Sequence, residues 1–425
     1  MSSKDYTGGM EIADDVDAAH QPSRNSSSIG AYFNIICVIA GTGTLQLPLA
    51  MHQSGWFGVF LIVLSALMAI YTGNLLIRCL YVYPGRRLTG YGDIGDAAFG
   101  RPGRWVVMFF NYAILLGASC IYIMLVGSNT YSLLAASNMG SPLSERAWIA
   151  VAGVVVLLPV LAVKTLKEAA ILSAFGTIAT VVVVVVSATL SGLELARPDH
   201  VPARHAFINP SQLAIALASI SFSFGGNVVY PHVEATMRHP KSWPRVLTAA
   251  IASTCVMYFI ICVPAYLAYG DKIQSPIFHS LPQGAATTSA IILITIHVLL
   301  AAPILITSFA LDIESRLSVS VARLGRFKEF IYRASIRTTS VALLTVVAMV
   351  VPFFGDFMAL LGALANCMIV FVLPIVCYLR LFGWRSVWKI TLAWCFLIVA
   401  IGLFACVLGA IDAIKALHDD FAGRR

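Results

Sequence analysis

The stretch from Ile29 to Met51 reads IGAYFNIICVIAGTGTLQLPLAM, and it is the most informative part of the chain for its architecture. It is long enough to cross a bilayer, because a spanning helix needs about 20 mostly apolar residues. Its centre, Ala40 to Thr44, is AGTGT, and Pro48 follows. Glycine and threonine at the centre disfavour a continuous helix. The sequence therefore predicts a membrane span that is unwound near its midpoint.

Unwound backbone at membrane depth persists only where protein or a water-filled cavity supplies partners for its N–H and C=O groups. The break is therefore a candidate binding site. An alternative interpretation is that these small residues only allow neighbouring helices to pack closely. The stretch by itself leaves both interpretations open.

The composition of the whole chain indicates an all-α polytopic membrane protein. Of its 425 residues, 59% are hydrophobic and 11% are charged, and the mean hydropathy is +0.85. All nine cysteines lie in or beside apolar runs, so neither a disulfide framework nor a zinc site is expected. The net charge of +8 comes from Lys and Arg between the apolar runs and indicates no nucleic-acid partner.

Hydropathy predicts eleven spans after a polar tail. The tail, residues 1–27, lacks the features of a signal peptide and is predicted to be disordered and cytosolic. Residues 28–425 are predicted to form one transmembrane domain with a short exoplasmic or lumenal C-terminus. The predicted spans cover residues 29–51, 56–80, 105–127, 147–163, 168–190, 211–237, 246–269, 287–311, 338–355, 357–380 and 387–413.

The distribution of positive charge predicts the orientation of these spans. With the tail in the cytosol, 21 of the 28 Lys and Arg residues fall on the cytosolic side, where such residues are enriched. An odd number of spans then places the C-terminus on the opposite side. The Asn-X-Ser/Thr sequon at Asn25 would be cytosolic and unglycosylated.

Span six contains a second break, five spans after the first. It reads SQLAIALASISFSFGGNVVYPHVEATMRHP, with Phe224 to Asn227 (FGGN) midway and Pro231 beyond. Interrupted spans at matching positions of two five-span halves are typical of secondary transporters with inverted repeats, in which substrate binds where the breaks meet. Packing glycines are again the alternative.

Two such breaks favour a zwitterion, and therefore an amino acid, as ligand. The N-termini of half-helices present free N–H groups and a positive dipole end to a carboxylate, and the leftover carbonyls suit an ammonium group. Candidate walls for the substrate side chain are Phe222 and Phe224 of span six and Tyr122 of span three. Ordinary packing is the alternative role for these three residues.

The candidate for coupling to an ion gradient is His297, which is the only one of nine histidines deep in a span. An imidazole at membrane depth can gain and lose a proton near neutral pH. Alternatively, a neutral His297 donates one hydrogen bond to a neighbouring helix. Glu234 and Asp312, at the cytosolic ends of spans six and eight, are candidates for an inner gate or for ion pairs with loop arginines such as Arg238 and Arg316.

Several other functions are not expected. The chain has no HExxH, GxSxG or CxxC motif, and its Gly-Thr stretch lacks the ending of a phosphate-binding loop. The longest predicted loop, about 312–337, is too short for a nucleotide-binding domain. An enzyme and an ATP-driven pump are therefore not expected, and a channel is disfavoured because no span has a ring-forming charge pattern. No cofactor is expected other than the proton gradient that drives transport.

Four segments of the chain resemble the amino acid/auxin permease family of eukaryotic amino-acid transporters. They are AGTGTLQLPLAMHQSGW, YTGNLLIRCLY, FSFGGNVVYPHVEATMRHP and VPFFGDFMALLGALANCMIVFVLPIVCYLRL. Within the family, the chain is most similar to the group of vesicular inhibitory and vacuolar neutral amino-acid transporters, over about residues 28–417.

The resemblance implies a LeuT-like fold with two inverted five-helix repeats, discontinuous helices one and six, and an eleventh helix. It also implies transport of neutral amino acids that is coupled to, or exchanged for, protons. The residues that would then contact the carboxylate and amine of the substrate are Gly41, Thr42, Gly43 and Thr44. Those that would complete the pocket are Phe224, Gly225 and Gly226, with Asn227 in the same break.

Two positions depart from the family pattern. Sodium-coupled relatives have an asparagine at the position of Cys37, which disfavours a sodium site here, although Asn34 lies nearby. Vesicular and vacuolar relatives often have a lysine at the position of His297. A sodium-coupled transporter and an amino-acid-sensing receptor that uses the same pocket stay open as alternatives. We expect a monomer in the vacuolar or lysosomal membrane, with the plasma membrane as the second possibility.

Overall fold

A computed structural model describes residue 24 and residues 26–136, 140–162, 169–319, 321–351 and 353–423. Most of the predicted tail lies outside these ranges, as do the sequon at Asn25 and the linker between spans four and five, residues 163–168. Within the described ranges the chain is built of helices joined by short turns. The prediction of an all-α protein is therefore confirmed.

The described residues form fourteen α-helices, one π-helix and five 3-10 helices of three residues each. In chain order the α-helices and the π-helix are α1 Ser28–Ile39, α2 Gly43–Ser54, α3 Phe57–Leu80, α4 Tyr91–Ala135, α5 Glu145–Ala162, α6 Ala169–Leu195, α7 Leu213–Ser223, α8 Tyr230–Thr236, α9 Trp243–Tyr269, α10 Ala285–Arg316, α11 Val321–Val350, α12 Phe354–Leu361, the π-helix Gly362–Val372, α13 Leu373–Phe382 and α14 Lys389–Phe421.

The number of spans can be compared with the predicted eleven. In the described part of the chain, nine helices are long and apolar enough to cross a membrane, and the pair α1 and α2, bent by 53°, makes a tenth span. Predicted span six consists of α7 and α8, which are shorter and are separated by residues 224–229. Counted as one broken span, this pair completes the predicted number.

The local sequence explains the first break. Helix α1 begins after Ser27, whose side chain accepts a hydrogen bond from the Gly30 N–H, and Ala40 leaves the helical conformation at φ −82°, ψ 45°. Helix α2 then begins at Gly43 and contains Pro48. Because proline has no N–H, the carbonyl of the residue four positions earlier, Thr44, lacks its helical donor. The break therefore leaves backbone groups free on both of its sides.

Two groups of helices position these breaks. Helices α4, α5, α10 and α11 pack on one another, whereas α9 packs on α1, α2, α3 and α6. Helix α2 also packs directly on α7, and α7 packs on the π-helix and α14. The first and second broken spans are therefore in direct contact.

The four-helix group contains a buried ion pair that the sequence did not predict. The Nε of Arg337 on α11 donates to Oε1 of Glu314 on α10 at 2.8 Å, and its Nη1 donates to the Val160 carbonyl of α5 at 2.7 Å. The Arg337 side chain is fully buried. This contact ties the ends of α5 and α10 to the middle of α11.

The predicted loop over residues 312–337 is wrong for most of its length. Helix α10 continues to Arg316, and α11 begins at Val321 with a kink at Gly325, where φ is +76°. The segment is basic and amphipathic rather than apolar, so hydropathy alone does not detect it. An amphipathic helix needs only one apolar face to pack on a membrane surface or on protein.

Candidate functional site

The two breaks meet where α2 begins and α7 ends. The Ser223 hydroxyl of α7 donates to the Gly43 carbonyl of α2 at 3.1 Å. A methyl group at position 43 would lie 2.8 Å from Ser223 Cα, which is closer than real contacts allow. Gly43 is therefore required by the approach of the two backbones, and close packing is part of its role.

One hydroxyl contacts the C-terminal ends of α1 and α7, the half-helices that precede the two breaks. The Tyr258 hydroxyl of α9 donates to the carbonyl of Ile39, the last residue of α1, at 2.9 Å. It also lies within hydrogen-bond distance of the carbonyl of Ser223, the last residue of α7. These carbonyls belong to helix ends that have no helical donor. Tyr258 was not among the predicted site residues, although a tyrosine in an apolar span needs a partner for its hydroxyl.

The predicted aromatic walls have different surroundings. Phe224 is fully buried and packs edge-on against Tyr258, with ring centroids 5.2 Å apart. Phe222 is half-buried. Tyr122 of α4 brings its hydroxyl to 3.5 Å from where a Gly41 side chain would begin. The structure thus places the Tyr122 hydroxyl beside the first break, while Phe224 packs against Tyr258.

The threonines of the first break are enclosed by protein. Thr42 is 2% exposed and Thr44 is fully buried, and the Thr44 side chain lies beside the Tyr258 hydroxyl. Their hydroxyls are therefore near the backbone groups that the break leaves free.

The second break is held by the π-helix. Asn366 Nδ2 donates to the Ser221 carbonyl at 2.5 Å, and its Oδ1 would lie 2.4 Å from a methyl group at Gly225. Asn227 Nδ2 is 3.3 Å from the Ile369 carbonyl of the π-helix. π-Helices are rare and are frequent at functional sites. Asn227 therefore contacts span ten with its amide group, a partner that the sequence did not indicate.

Gly226 is covered by an aromatic ring. A methyl group at this position would lie 2.5 Å from Cε1 of Tyr230 and 2.7 Å from its hydroxyl oxygen. Tyr230 is fully buried, and its ring also packs on Trp243 at 5.4 Å between centroids. The ring is enclosed by its neighbours, so any side chain at position 226 must displace it, and a bulky side chain is excluded.

The histidine of span eight lies against span one. A methyl group at Gly176 of α6 would be 2.2 Å from His297 Cε1 and 2.7 Å from Cys37 Sγ. His297 is 3% exposed, and its Nε2 has no hydrogen-bond partner among the described residues. The structure therefore brings His297 and Cys37 together across a glycine.

Asn34 is separate from this group. It lies on α1 about one turn before Cys37 and is half-buried, and its side chain makes no hydrogen bond to a described residue. The structure thus groups Cys37 with His297 and gives Asn34 no contact that would support an ion site.

Glu234 joins two segments that the sequence predicts to be cytosolic. Its carboxylate accepts from Arg87 Nε at 2.9 Å and from the Tyr81 hydroxyl, and Arg87 Nη2 also donates to the Pro231 carbonyl at 2.5 Å. The Glu234 side chain is 1% exposed. An ion pair with a cytosolic arginine was one of the predicted roles, but the partner is Arg87 of an earlier loop rather than Arg238.

Asp312 has a different kind of partner. Arg316 Nε donates to Asp312 Oδ2 at 3.0 Å, as the sequence had suggested, and both side chains are about one-third exposed. Both residues lie on α10, so their ion pair cannot hold two separate elements together. Glu234 therefore joins separate segments of the chain, whereas Asp312 pairs within one helix.

The opposite end of the broken spans is also tied by polar contacts. Gln46 of α2 is 1% exposed, and its Nε2 donates to the Gly355 carbonyl at 3.3 Å. Its Oε1 accepts a hydrogen bond from the Ser275 hydroxyl in the loop between α9 and α10. No group of three or more His, Cys, Asp and Glu side chains that could hold a metal ion occurs in the part of the chain described here.

Comparison with known proteins agrees with this geometry. Residues 24–415 match the model of a protein family described as transmembrane amino acid transporter protein. The chain belongs to this family. The predicted family resemblance is therefore confirmed, and the protein is a multi-pass membrane transporter rather than an enzyme.

Relatives of this transmembrane amino acid transporter include plant and animal proteins. The chain is 30% identical to the amino acid transporter AVT1C of Arabidopsis thaliana over 401 residues, which cover 93% of this chain and 70% of that protein. It is 26% identical to the vesicular inhibitory amino acid transporter of Xenopus laevis over 412 residues, 92% of this chain and 77% of the relative.

Solved structures confirm the fold of this family member. The crystal structure of MhsT in complex with L-phenylalanine aligns with a TM-score of 0.55 and 14% identity, over 93% of this chain and 99% of MhsT. A Na+-coupled sialic acid symporter aligns with a TM-score of 0.52 and 13% identity, over 92% and 90% of the two chains. The predicted LeuT-like fold, with inverted repeats and discontinuous helices one and six, is confirmed.

Proposed function

We propose that the protein is a secondary active transporter of neutral amino acids that couples to, or exchanges with, protons. Substrate would bind at the membrane midplane between the two broken spans, and access would alternate between the two sides of the membrane. The supporting observation is the direct contact of the two breaks, in which Tyr258 and Ser223 bind the backbone of both spans.

The chemistry of this region suits a zwitterion with a neutral side chain. Residues 35–47 and 217–230 include no Asp, Glu, Lys or Arg, so backbone groups and hydroxyls must recognise the carboxylate and the amine. In the proposed site, Gly41, Thr42, Gly43 and Thr44 contact these groups. Phe222 and Tyr122 form the wall for the side chain, and the break at Gly225, Gly226 and Asn227 completes the pocket.

The surroundings of His297 support a proton rather than sodium as the coupling ion. Its ring lies against Gly176 next to Cys37 of the first broken span. Sodium is a hard cation that prefers oxygen ligands, and a thiol is a soft ligand. A proton on His297 would therefore place a positive charge directly beside span one, which lines the proposed site.

The experiment that tests this proposal uses proteoliposomes with the purified protein and a panel of radiolabelled amino acids. We expect uptake of neutral amino acids that follows an imposed pH gradient and is unchanged when sodium is removed. The variant His297→Ala should lose gradient-driven uptake but retain exchange of labelled for unlabelled substrate, because the backbone site is intact.

Other results would support the alternative functions. Uptake that requires sodium would contradict the proton proposal and point to a site near Asn34. Saturable binding without flux under either gradient would contradict transport and favour an amino-acid-sensing receptor.

We place the transporter in the membrane of an acidic organelle, with the N-terminus in the cytosol. The resemblance to vesicular and vacuolar transporters and the excess of Lys and Arg on one side support this location and orientation. A fluorescent tag on the N-terminus should colocalise with a vacuolar or lysosomal marker and should be degraded by protease added to intact organelles. Labelling at the cell surface would contradict the location.

A further inference from the structure

A groove runs along α3 toward its C-terminal end. Its first half, about 410 Å³, lies between α3, Pro244 of α9 and Trp394 of α14. Its second half, about 470 Å³, continues between the ends of α3, α9 and α13. Asn74, Arg78 and Pro244 line both halves, so the groove is continuous.

The two ends of the groove differ in polarity. Leu67 and Ile70 line the first half, and Leu67 is 52% exposed, as expected of a side chain that faces lipid. Arg78 and Lys241 line the second half. The rise of an α-helix places Arg78 about 16 Å along the axis from Leu67. This length matches a phospholipid headgroup with the upper part of an acyl chain.

Polar groups in the groove are left without partners by the described residues. Arg78 and Lys241 form no ion pair or side-chain hydrogen bond with any of them. Asn74 Nδ2 donates to the Ile70 carbonyl at 2.8 Å, but its buried Oδ1 has no hydrogen-bond partner there. The groove thus offers two positive charges and one buried acceptor at the end opposite Leu67.

We propose that this groove binds an anionic phospholipid of the cytosolic leaflet. Its acyl chain would lie along Leu67 and Ile70, its phosphate would contact Arg78 and Lys241, and Asn74 Oδ1 would accept a hydrogen bond from a headgroup hydroxyl. Arg78 and Lys241 lie on the side that the charge distribution assigns to the cytosol, where anionic lipids attract basic residues.

The position of the groove gives the lipid a regulatory role. It is lined by α3 and α9, which belong to spans two and seven, and by α13 and α14, which belong to spans ten and eleven. For the proposed alternating access, spans one, two, six and seven, which include both breaks, would move as one group against the other spans. A lipid that contacts both groups would alter the rate of that motion, and this consequence rests on the proposed function.

Lipid binding is tested without any transport measurement. Native mass spectrometry measures how much lipid the purified full-length chain retains. The lipids are phosphatidylinositol 4-phosphate and, separately, phosphatidylcholine. We expect selective retention of the anionic lipid, and about thirtyfold weaker binding in the double variant Arg78→Gln with Lys241→Gln, because each basic residue contributes about a five- to sixfold preference. The matched control Arg101→Gln removes an exposed charge outside the groove and should bind as the wild type does.

Three results would overturn the proposal. The first is equal retention of phosphatidylcholine, and the second is unchanged binding in the double variant. The third is equally tight binding of water-soluble inositol phosphate, which would show that the acyl chain contributes nothing. Since all three are binding results, they are independent of whether the protein transports amino acids.

Discussion

At the scale of single residues, the glycines of the two breaks differ in the neighbour that excludes a side chain. At Gly43 the neighbour is the backbone of α7, at Gly225 it is Oδ1 of Asn366, and at Gly226 it is the ring of Tyr230. At Gly43 and Gly225 the close contact comes from another broken or irregular span, and at Gly226 it comes from the second half-helix of the same span. These glycines therefore have the two roles considered from the sequence, since they allow close packing at the point where the helices are interrupted.

Replacement of Gly226 by leucine should abolish amino-acid uptake. The new side chain would overlap the ring of Tyr230, which is fully buried and cannot move aside. Uptake into proteoliposomes and the amount of protein in the membrane should be measured together. Gly192→Leu is the matched control, because a side chain at Gly192 meets no atom within 4 Å. Unimpaired uptake by Gly226→Leu would contradict a site at the second break. If the leucine variant does not fold, the same measurement is made with Gly226→Ala.

The two ion pairs of α10 should differ strongly in their contribution to stability. Glu314→Ala would leave the charge of Arg337 buried without its partner, at a cost of about 3–5 kcal/mol. Asp312→Ala removes a partly exposed pair that contributes about 0–1 kcal/mol. Thermal unfolding followed by gel filtration should show a much lower midpoint only for Glu314→Ala. Equal midpoints would mean that Arg337 finds another partner in the variant.

At the scale of helices, the two broken spans are joined by groups from other spans. Tyr258 of α9 binds the C-terminal ends of α1 and α7, and Asn366 of the π-helix binds the end of α7. The Tyr258 hydroxyl reaches carbonyls at helix ends, which lack a helical donor, and Asn366 adds a second donor to the Ser221 carbonyl, which also accepts from the Phe224 N–H at 3.1 Å. Side chains of spans seven and ten therefore stabilise the interrupted backbone at defined positions.

Removal of the Tyr258 hydroxyl should impair transport without loss of the fold. Tyr258→Phe keeps the ring contact with Phe224 but removes the one O–H donor that the Ile39 and Ser223 carbonyls share, at a cost of about 1–3 kcal/mol. We expect uptake to fall roughly tenfold or more. Tyr112→Phe is the control, because the buried Tyr112 hydroxyl has no hydrogen-bond partner among the described residues. Equal uptake by both variants would show that the carbonyls do not depend on Tyr258.

The breaks could be predicted from the sequence, but the groups that hold them could not. AGTGT and FGGN are local signals, because glycine lowers helix stability wherever it occurs. Asn366 and Tyr258 contact residues 145 and 35 positions away, and nothing in an apolar run indicates which carbonyl a polar side chain reaches. The π-helix could not be predicted either, since its composition is that of any apolar span. The basic helix before span nine was predicted as a loop because the prediction relied on the high charge of this segment and not on its hydrophobic periodicity.

At the scale of the whole molecule, polar contacts tie both ends of the broken spans. On one side Glu234 binds Arg87 and Tyr81, and on the other Gln46 binds Ser275 and the Gly355 carbonyl. Alternating access requires that each set of contacts is released in turn. The two sets are therefore candidates for the inner and outer gates of the proposed transporter.

Loss of the Glu234 charge should make the cytosolic side open more often. Glu234→Gln weakens charge-assisted hydrogen bonds worth about 1.5–3 kcal/mol, which corresponds to roughly a tenfold or larger shift toward the open state. A membrane-impermeant thiol reagent added from the cytosolic side should then label Cys37 faster, and Cys37→Ser should remove that signal. Asp312→Asn is the control, because its ion pair lies within one helix. Unchanged labelling in Glu234→Gln would contradict an inner gate at this residue.

The absence of formal charge in the sequence around both breaks also determines how such a carrier responds to voltage. A zwitterion that binds to backbone dipoles moves no net charge through the electric field, so the membrane potential acts on the cycle only through the proton. With one proton per amino acid, 100 mV supplies about 2.3 kcal/mol, or roughly a fortyfold accumulation ratio. Two pH units supply about 2.7 kcal/mol, or a hundredfold. The acidity and the voltage of the compartment would therefore make comparable contributions to its amino-acid store.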